Sequence, residues 1–161
     1  MTQDTAAMRS QDCPGQAAGA TAPVIVVGLD GSPASWDAFS WAAGEAVRGN
    51  GSLIAVYATP AVEPVAAVGV PFDYAAAEQS RQEVAGQLAD EAARRACDVG
   101  VPLSFVREPG DVTRALISVA RSAGADLVVV GRSAKILHHL AGSPARRLVS
   151  RHDAPVTVVV P

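Results

Sequence analysis

Two short segments with nearly the same residue order have the residue types that bind an anion. Asp30, Gly31 and Ser32 follow one apolar run, Gly142 and Ser143 follow a later loop, and a proline comes directly after each serine. Serine suits the N-cap of a helix and proline suits its first position. Such a helix start presents backbone N–H groups and the positive end of the helix dipole, which can hold a phosphate. The same residues also begin ordinary helices, so either segment alone favours a structural role.

A loop between these segments adds further hydrogen-bond donors. Gly131 ends an apolar run, and glycine there lets a ligand approach the backbone. Arg132, Ser133 and Lys135 follow it, and their side chains suit phosphate oxygens. A solvated loop of this composition is the alternative interpretation.

The sequence lacks the motifs of several other binding and catalytic sites. The chain has no phosphate-binding loop of the G-x-x-x-x-G-K-[ST] type and no G-x-G-x-x-G after the first apolar run. His138 and His139 have no carboxylate or cysteine at ligand spacing, so no intrinsic metal site is expected. A triad of Ser143, His138 and Asp30 lacks the G-x-S-x-G turn. A weak nucleotide hydrolase, with Asp30 as its one candidate base, remains open as a minor alternative.

Alternating strand and helix patterns must position these residues. Short apolar runs, mostly rich in β-branched residues, predict strands over 24–29, 53–58, 103–106, 127–130 and 156–160. Apolar residues at helical spacing predict helices over 33–48, 74–98, 112–122 and 144–151. This alternation predicts an α/β fold with a parallel sheet.

Composition narrows the class of protein. The 161 residues are 49% hydrophobic and 18% charged, which suits one folded domain. A net charge of −3 argues against nucleic acid as a partner. No apolar run reaches the roughly 18 residues of a membrane helix, no secretory signal is recognisable, and the two cysteines make no disulfide framework. We therefore expect no membrane partner and a cytoplasmic location.

The sequence also predicts which segments lie outside the helices and strands. Residues 1–22 show no period and are rich in small and polar side chains, which predicts a flexible tail. Periodic structure begins at Pro23. Residues 60–73 contain three prolines and no helical period, which predicts a long connection.

Several motifs together resemble the universal stress protein family. They are the first strand running into Asp30, Gly31 and Ser32, the Gly110-Asp111 pair before the third helix, the segment 125–131, Gly142-Ser143, and the segment 154–159. The resemblance covers residues 23–161 as a single domain. It implies an open twisted sheet of five parallel strands in the order 3-2-1-4-5, with helices on both faces.

The resemblance also implies a function and a partner. Members of the family are stress-response regulatory proteins, and their nucleotide-binding members hold ATP or a related adenine nucleotide, with Mg²⁺ as an accompanying ion. Carried over by motif, Asp30 would lie by the adenosine and Ala58 by the base, while Gly131, Gly142 and Ser143 would surround the phosphates. The protein would act by binding rather than as an enzyme. A homodimer would form through the last strand, residues 156–160.

The sequence departs from the nucleotide-binding pattern of the family at two points. Ala134 stands where a second glycine is expected, and seven residues rather than nine separate it from Gly142. A loop two residues shorter reaches less far around a triphosphate, and the Cβ of alanine stands where the backbone must come close. The alternative is therefore a dimeric interaction protein of the same family that does not bind ATP.

Overall fold

The described part of the chain alternates strands with helices. The computed structural model describes residues 9–11, 22–59, 74–132 and 155–161. In chain order the elements are β1 (Arg9–Gln11), β2 (Val24–Gly28), α1 (Pro33–Gly49), β3 (Ser52–Thr59), α2 (Tyr74–Val99), β4 (Leu103–Pro109), α3 (Val112–Ala123), β5 (Leu127–Gly131) and β6 (Val156–Val160). The five predicted strands and first three predicted helices are confirmed. The predicted helix 144–151 and connection 60–73 lie outside the described residues.

The parallel strands stand in the spatial order β4-β3-β2-β5-β6. Numbered as the five predicted strands, this order is 3-2-1-4-5, so the expected sheet is confirmed. Val26 in β2 lies opposite Ile54 in β3 and opposite Val128 in β5. Because β3 and β4 extend the sheet on one side of β2, and β5 and β6 on the other, the strand order reverses between β2 and β5.

A short antiparallel strand extends the sheet beyond β4. In β1, Arg9 lies opposite Phe105 and Gln11 lies opposite Leu103. Residues 9–11 therefore lie in a strand inside the segment 1–22, for which the flexible tail stays a prediction. The sequence did not indicate this strand, because three residues carry no measurable period and their partner lies almost a hundred residues away. The outer edge of β4 presents unpaired backbone N–H and C=O groups, and β1 pairs with part of that edge.

Helices α1 and α2 cover one face of the sheet. A buried apolar cluster forms beneath them, and its sheet residues alternate with those facing the other way, as the two-residue period of a strand requires. Burying each large aliphatic side chain contributes about 1.5–3 kcal/mol. The buried members are Ile25, Val27, Leu29, Ala38, Phe39, Ala42, Ala43, Ala46, Leu53, Ala55, Ala92, Ala96, Val101 and Val129.

Helix α3 covers the opposite face. The stripe of α3 that includes Leu116 and Ala120 packs onto Val26, Val56 and Val128. The two faces are covered by separate clusters, which is why the strands read as continuous apolar runs. Among the described residues, no helix is both long enough and apolar enough to cross a bilayer.

Local capping residues set the ends of α1 and α3. Ser32 is the N-cap of α1, and Asn50 ends that helix in the left-handed conformation, with φ of 52°. Asp111 is the N-cap of α3, and Gly124 ends it with φ of 61°. These residues satisfy backbone groups that a helix end leaves unpaired. The predicted ends of these helices, at residues 48 and 122, lie within two residues of the observed C-caps.

One buried hydroxyl on α3 lacks a partner. Thr113 is 2% exposed, and its Oγ1 makes no hydrogen bond within the described part of the chain. We expect Thr113→Val to raise the free energy of unfolding by about 1 kcal/mol, because valine keeps the shape and removes the unsatisfied oxygen. Urea denaturation measures the change.

Thr59→Val is the matched control for this prediction. Thr59 is 4% exposed, but its Oγ1 donates to the carbonyl oxygen of Glu108 at 3.4 Å. Removing that hydroxyl leaves a carbonyl without its donor, so Thr59→Val should lower stability or leave it unchanged. A loss of stability in Thr113→Val would contradict the assignment of Thr113 as unsatisfied.

Candidate functional site

The turn between β2 and α1 is held by its own side chains. The carboxylate Oδ1 of Asp30 accepts a hydrogen bond from the backbone N–H of Ser32 at 2.9 Å. The Oγ of Ser32 in turn accepts from the backbone N–H of Ser35 at 3.2 Å, so Ser32 caps α1 as predicted. Pro33 occupies the first helical position. Asp30 is exposed at the end of this turn.

Ser35 supports the same turn from the protein interior. It is 5% exposed, its hydroxyl donates to the carbonyl oxygen of Ser32 at 2.9 Å, and its Oγ accepts from the backbone N–H of Asp30 at 3.4 Å. Sequence reasoning did not predict a site role for Ser35. The sequence feature that could have indicated this role is a serine three residues after the N-cap, on the side of α1 that faces the core.

Gly31 allows this turn to lie against α2. Its φ is +81°, a conformation that L side chains rarely adopt. A Cβ at this position would also lie 3.3 Å from Cδ2 of Leu88. Leu88 therefore marks the point along α2 that meets the β2–α1 turn.

The end of β5 is in direct backbone contact with the first turn of α1. A Cβ on Gly131 would lie 2.2 Å from the carbonyl oxygen of Ala34 and 2.9 Å from the backbone nitrogen of Ser35. Only glycine permits this approach. The contact brings the start of the predicted phosphate-binding loop beside the helix start that follows Asp30. Arg132, the next residue, is exposed, and its backbone N–H donates to the carbonyl of Val160 at 2.8 Å.

The neighbouring strands β3 and β4 end at the same edge. The backbone N–H of Gly110 donates to the carbonyl of Thr59 at 2.7 Å, which joins the two strand ends. Ala58 precedes Thr59 and is half-buried against the cluster under α3. In open α/β sheets, ligands bind beyond the carboxyl ends of strands where the order reverses. Asp30, Gly131 and Ala58 lie at this edge.

Four predicted site residues lie outside the described residues: Ser133, Lys135, Gly142 and Ser143. The structure therefore brings together the β2–α1 turn, Ala58, Gly131 and Arg132, and the second glycine-serine segment stays a prediction. Within the described ranges, no group of three His, Cys, Asp or Glu side chains is placed to hold a metal ion.

An ion pair joins α2 to the sheet close to this edge. Nη2 of Arg107 in β4 donates to Oε1 of Glu78 in α2 at 2.6 Å. This hydrogen bond is the main cause that lowers the pKa of Glu78 below its ordinary value. Sequence reasoning missed the pair, because a contact between residues 29 positions apart leaves no local pattern.

Two strand-end glycines offer a direct test of the backbone contact. We expect Gly131→Ala to lower the free energy of unfolding by about 1–3 kcal/mol, since its Cβ would overlap the backbone of Ala34 and force β5 away from α1. Chemical denaturation measures the loss.

Gly28→Ala is the control at the end of the adjacent strand. A Cβ there meets only side-chain atoms of Leu116 and Val130, at 3.5 Å, which is ordinary van der Waals contact. Its effect should stay within about 0.5 kcal/mol. Equal losses in the two variants would show that the contact at Gly131 is not the tight one.

Comparison with known proteins identifies similar folds. The profile of the universal stress protein family matches residues 23–160. No curated protein matches the sequence.

Three of the solved structures with similar folds are proteins of the universal stress protein family. A protein of the universal stress protein family from Burkholderia pseudomallei has 25% identity and a TM-score of 0.72, with 89% of this chain and 99% of that chain covered. A universal stress protein in complex with cAMP has 24% identity and a TM-score of 0.68, with 87% and 97% covered. A family protein from Arabidopsis thaliana with AMP bound has 18% identity and a TM-score of 0.61, with 85% and 91% covered.

Proposed function

Because this chain belongs to the universal stress protein family, we propose that it is a stress-response regulatory protein that binds an adenine nucleotide. The site is the crevice at the carboxyl ends of β2 and β5. The protein acts by binding and by self-association, in the cytoplasm, rather than by turnover.

The observation that carries this proposal is the contact between Gly131 and the first turn of α1. It supports a single crevice that has the β2–α1 turn on one side and the start of the 131–141 loop on the other. Asp30 in the β2–α1 turn is an exposed carboxylate, and Arg132, directly after Gly131, is an exposed cation. A carboxylate and a cation on these two segments suit a ligand with a hydrogen-bonding sugar and an anionic phosphate.

Within this proposal each predicted residue has a role. Asp30, Gly31 and Ser32 would lie along the adenosine, and Ala58 leaves room for the base because its side chain is small. Gly131 and Arg132 would begin the phosphate site, which Ser133, Lys135, Gly142 and Ser143 would complete. These roles rest on the family motif and on the shared edge of the sheet.

The shortened loop favours a ligand with few phosphates. Seven residues between Ala134 and Gly142 reach less far than nine would, so AMP or cAMP is the better fit than ATP. The similar structures that hold cAMP and AMP are consistent with this preference. Mg²⁺ chiefly accompanies polyphosphates, so a one-phosphate ligand would not require it.

Calorimetric titration with ATP, ADP, AMP and cAMP tests nucleotide binding. We expect heat with AMP or cAMP, and roughly threefold to tenfold weaker binding in Asp30→Asn, because the amide keeps the acceptor for the Ser32 N–H but loses the negative charge. Asp98→Asn is the control, since Asp98 is an exposed carboxylate at the far end of α2.

Absence of heat and of a thermal shift with all four nucleotides at millimolar concentration would overturn nucleotide binding. The dimeric interaction protein that does not bind ATP would then be the better description, favoured by Ala134 and the shortened loop. Phosphate released from ATP and abolished in Asp30→Asn would instead favour the weak hydrolase.

The outer edge of β6 supports a homodimer. Val156 and Val159 are 67% and 38% exposed, and no strand among the described residues pairs with β6 on the side away from β5. The opposite edge of the sheet already carries β1 along part of β4. An exposed, valine-rich edge favours pairing with a second copy of the chain.

Light scattering during size-exclusion chromatography tests the dimer. We expect a mass of twice the 16.4 kDa of one chain, and a single-chain mass for Val159→Lys, because a charged side chain at the edge opposes strand pairing. Val47→Lys, at a valine on α1 that is 51% exposed, should remain dimeric. A dimer that survives Val159→Lys would place the interface elsewhere.

A further inference from the structure

The two halves of α2 differ in burial. Residues 85–99 include a buried stripe at helical spacing, formed by Ala85, Leu88, Ala92 and Ala96. Residues 75–84, which we call the outer half of α2, contain no buried residue. The hydrophobic core therefore holds only one half of this helix in place.

The outer half extends beyond the edge of the sheet where the candidate site lies. Leu88 meets Gly31 at the β2–α1 turn, and α2 runs opposite to the strands, because it connects parallel strands β3 and β4. Each residue of α2 that precedes Leu88 therefore lies farther from the sheet than the β2–α1 turn, in the direction in which the strands run. The lengths agree, since the 26 residues of α2 span about 39 Å and the eight residues of β3 about 26 Å.

The Glu78–Arg107 ion pair ties this outer half to the sheet. The other ion pairs among the described residues each join two side chains three or four positions apart on one helix. The pair between Glu78 and Arg107 alone joins a helix to a strand within those residues. Arg107 stands next to Tyr57 in the β3–β4 register, and both residues belong to the strand positions that face α2.

Two arginines contact Glu78. Arg81 also approaches Glu78, with Nη1 at 3.7 Å from Oε2, so two guanidinium groups share one carboxylate. Glu83 on the same half of α2 is a second carboxylate, so the two arginines and two glutamates balance in charge. Tyr57, which directly precedes Ala58, adds a half-buried ring on the same strand end.

We propose that Glu78 and Arg107 are positioning residues that hold the outer half of α2 as a wall of the nucleotide crevice. The wall stands on the side of Gly31 and Tyr57, on the face of the sheet that α2 covers. This inference rests on the proposed nucleotide site and adds the residues that shape its entrance. When the ion pair is removed, the attachment of the outer half weakens, and the crevice binds AMP less tightly.

Amide hydrogen exchange of the full-length protein tests the positioning role without any ligand. Glu78→Gln should speed exchange in residues 75–84 by about two- to fivefold, the range that an exposed ion pair supports, and leave residues 88–96 unchanged. Glu91→Gln is the matched control on the same helix. It removes the charge from the pair in which Nε of Arg95 donates to Oε1 of Glu91 at 2.7 Å, in the half that the core holds, so exchange in the outer half should not change.

Calorimetric titration with AMP tests the role in binding. Glu78→Gln and Arg107→Gln should each weaken AMP binding by about two- to fivefold, and the double variant should be no weaker than either single variant, because both remove the same interaction. Glu91→Gln should bind AMP like the unaltered protein. A double variant that loses the sum of both effects would mean that the two residues act separately, which overturns the pair.

The two measurements separate failure of this inference from failure of the nucleotide site. Unchanged exchange in residues 75–84 overturns the inference even if AMP binds. Faster exchange with unchanged AMP affinity also overturns it, because the pair would then have only a structural role. If the unaltered protein binds none of ATP, ADP, AMP and cAMP, the proposed function fails, and with it the role of the wall in binding.

Discussion

The close approach of Gly131 to the backbone of Ala34 is the constraint on which the arrangement of strand ends depends. Strand β5 is next to β2 in the sheet, but pairing alone does not bring its end onto a helix. The missing side chain at Gly131 allows α1 to begin directly over the end of β5. The hydrogen bonds of Asp30, Ser32 and Ser35 then fix the turn that enters the helix. A tight backbone contact and a small polar network thus form one edge of the crevice.

The sequence predicted the sheet because its signals are local and repeated. Continuous apolar runs such as 24–29 and 127–130 identify strands covered on both faces, and capping residues such as Ser32 and Asp111 mark where helices begin. The strand order followed from a family resemblance carried by many separate motifs rather than from any one of them. The candidate residues at the ends of β2 and β5 were found for the same reason, since they belong to these motifs.

The contacts that join distant elements could not be predicted. Nothing near Arg107 in the chain indicates that it meets Glu78, and nothing near Gly31 indicates that it meets Leu88. These contacts depend on how far α2 extends past the sheet, which is set by packing rather than by helical period. The same reason hides Thr113, because a threonine on the sheet-facing side of a helix looks like any small core residue until its partners are known.

The short strand β1 affects how the sheets of two copies of this chain can pair edge to edge. By lying along Leu103 to Phe105, it occupies part of one border of the sheet with the chain's own backbone. A border that is occupied along these three residues offers β6 of a neighbouring molecule fewer free backbone groups for the head-to-tail contact that propagates into fibres. Joining two copies through β6 would be self-limiting, because each copy would use its own β6 edge in that one contact.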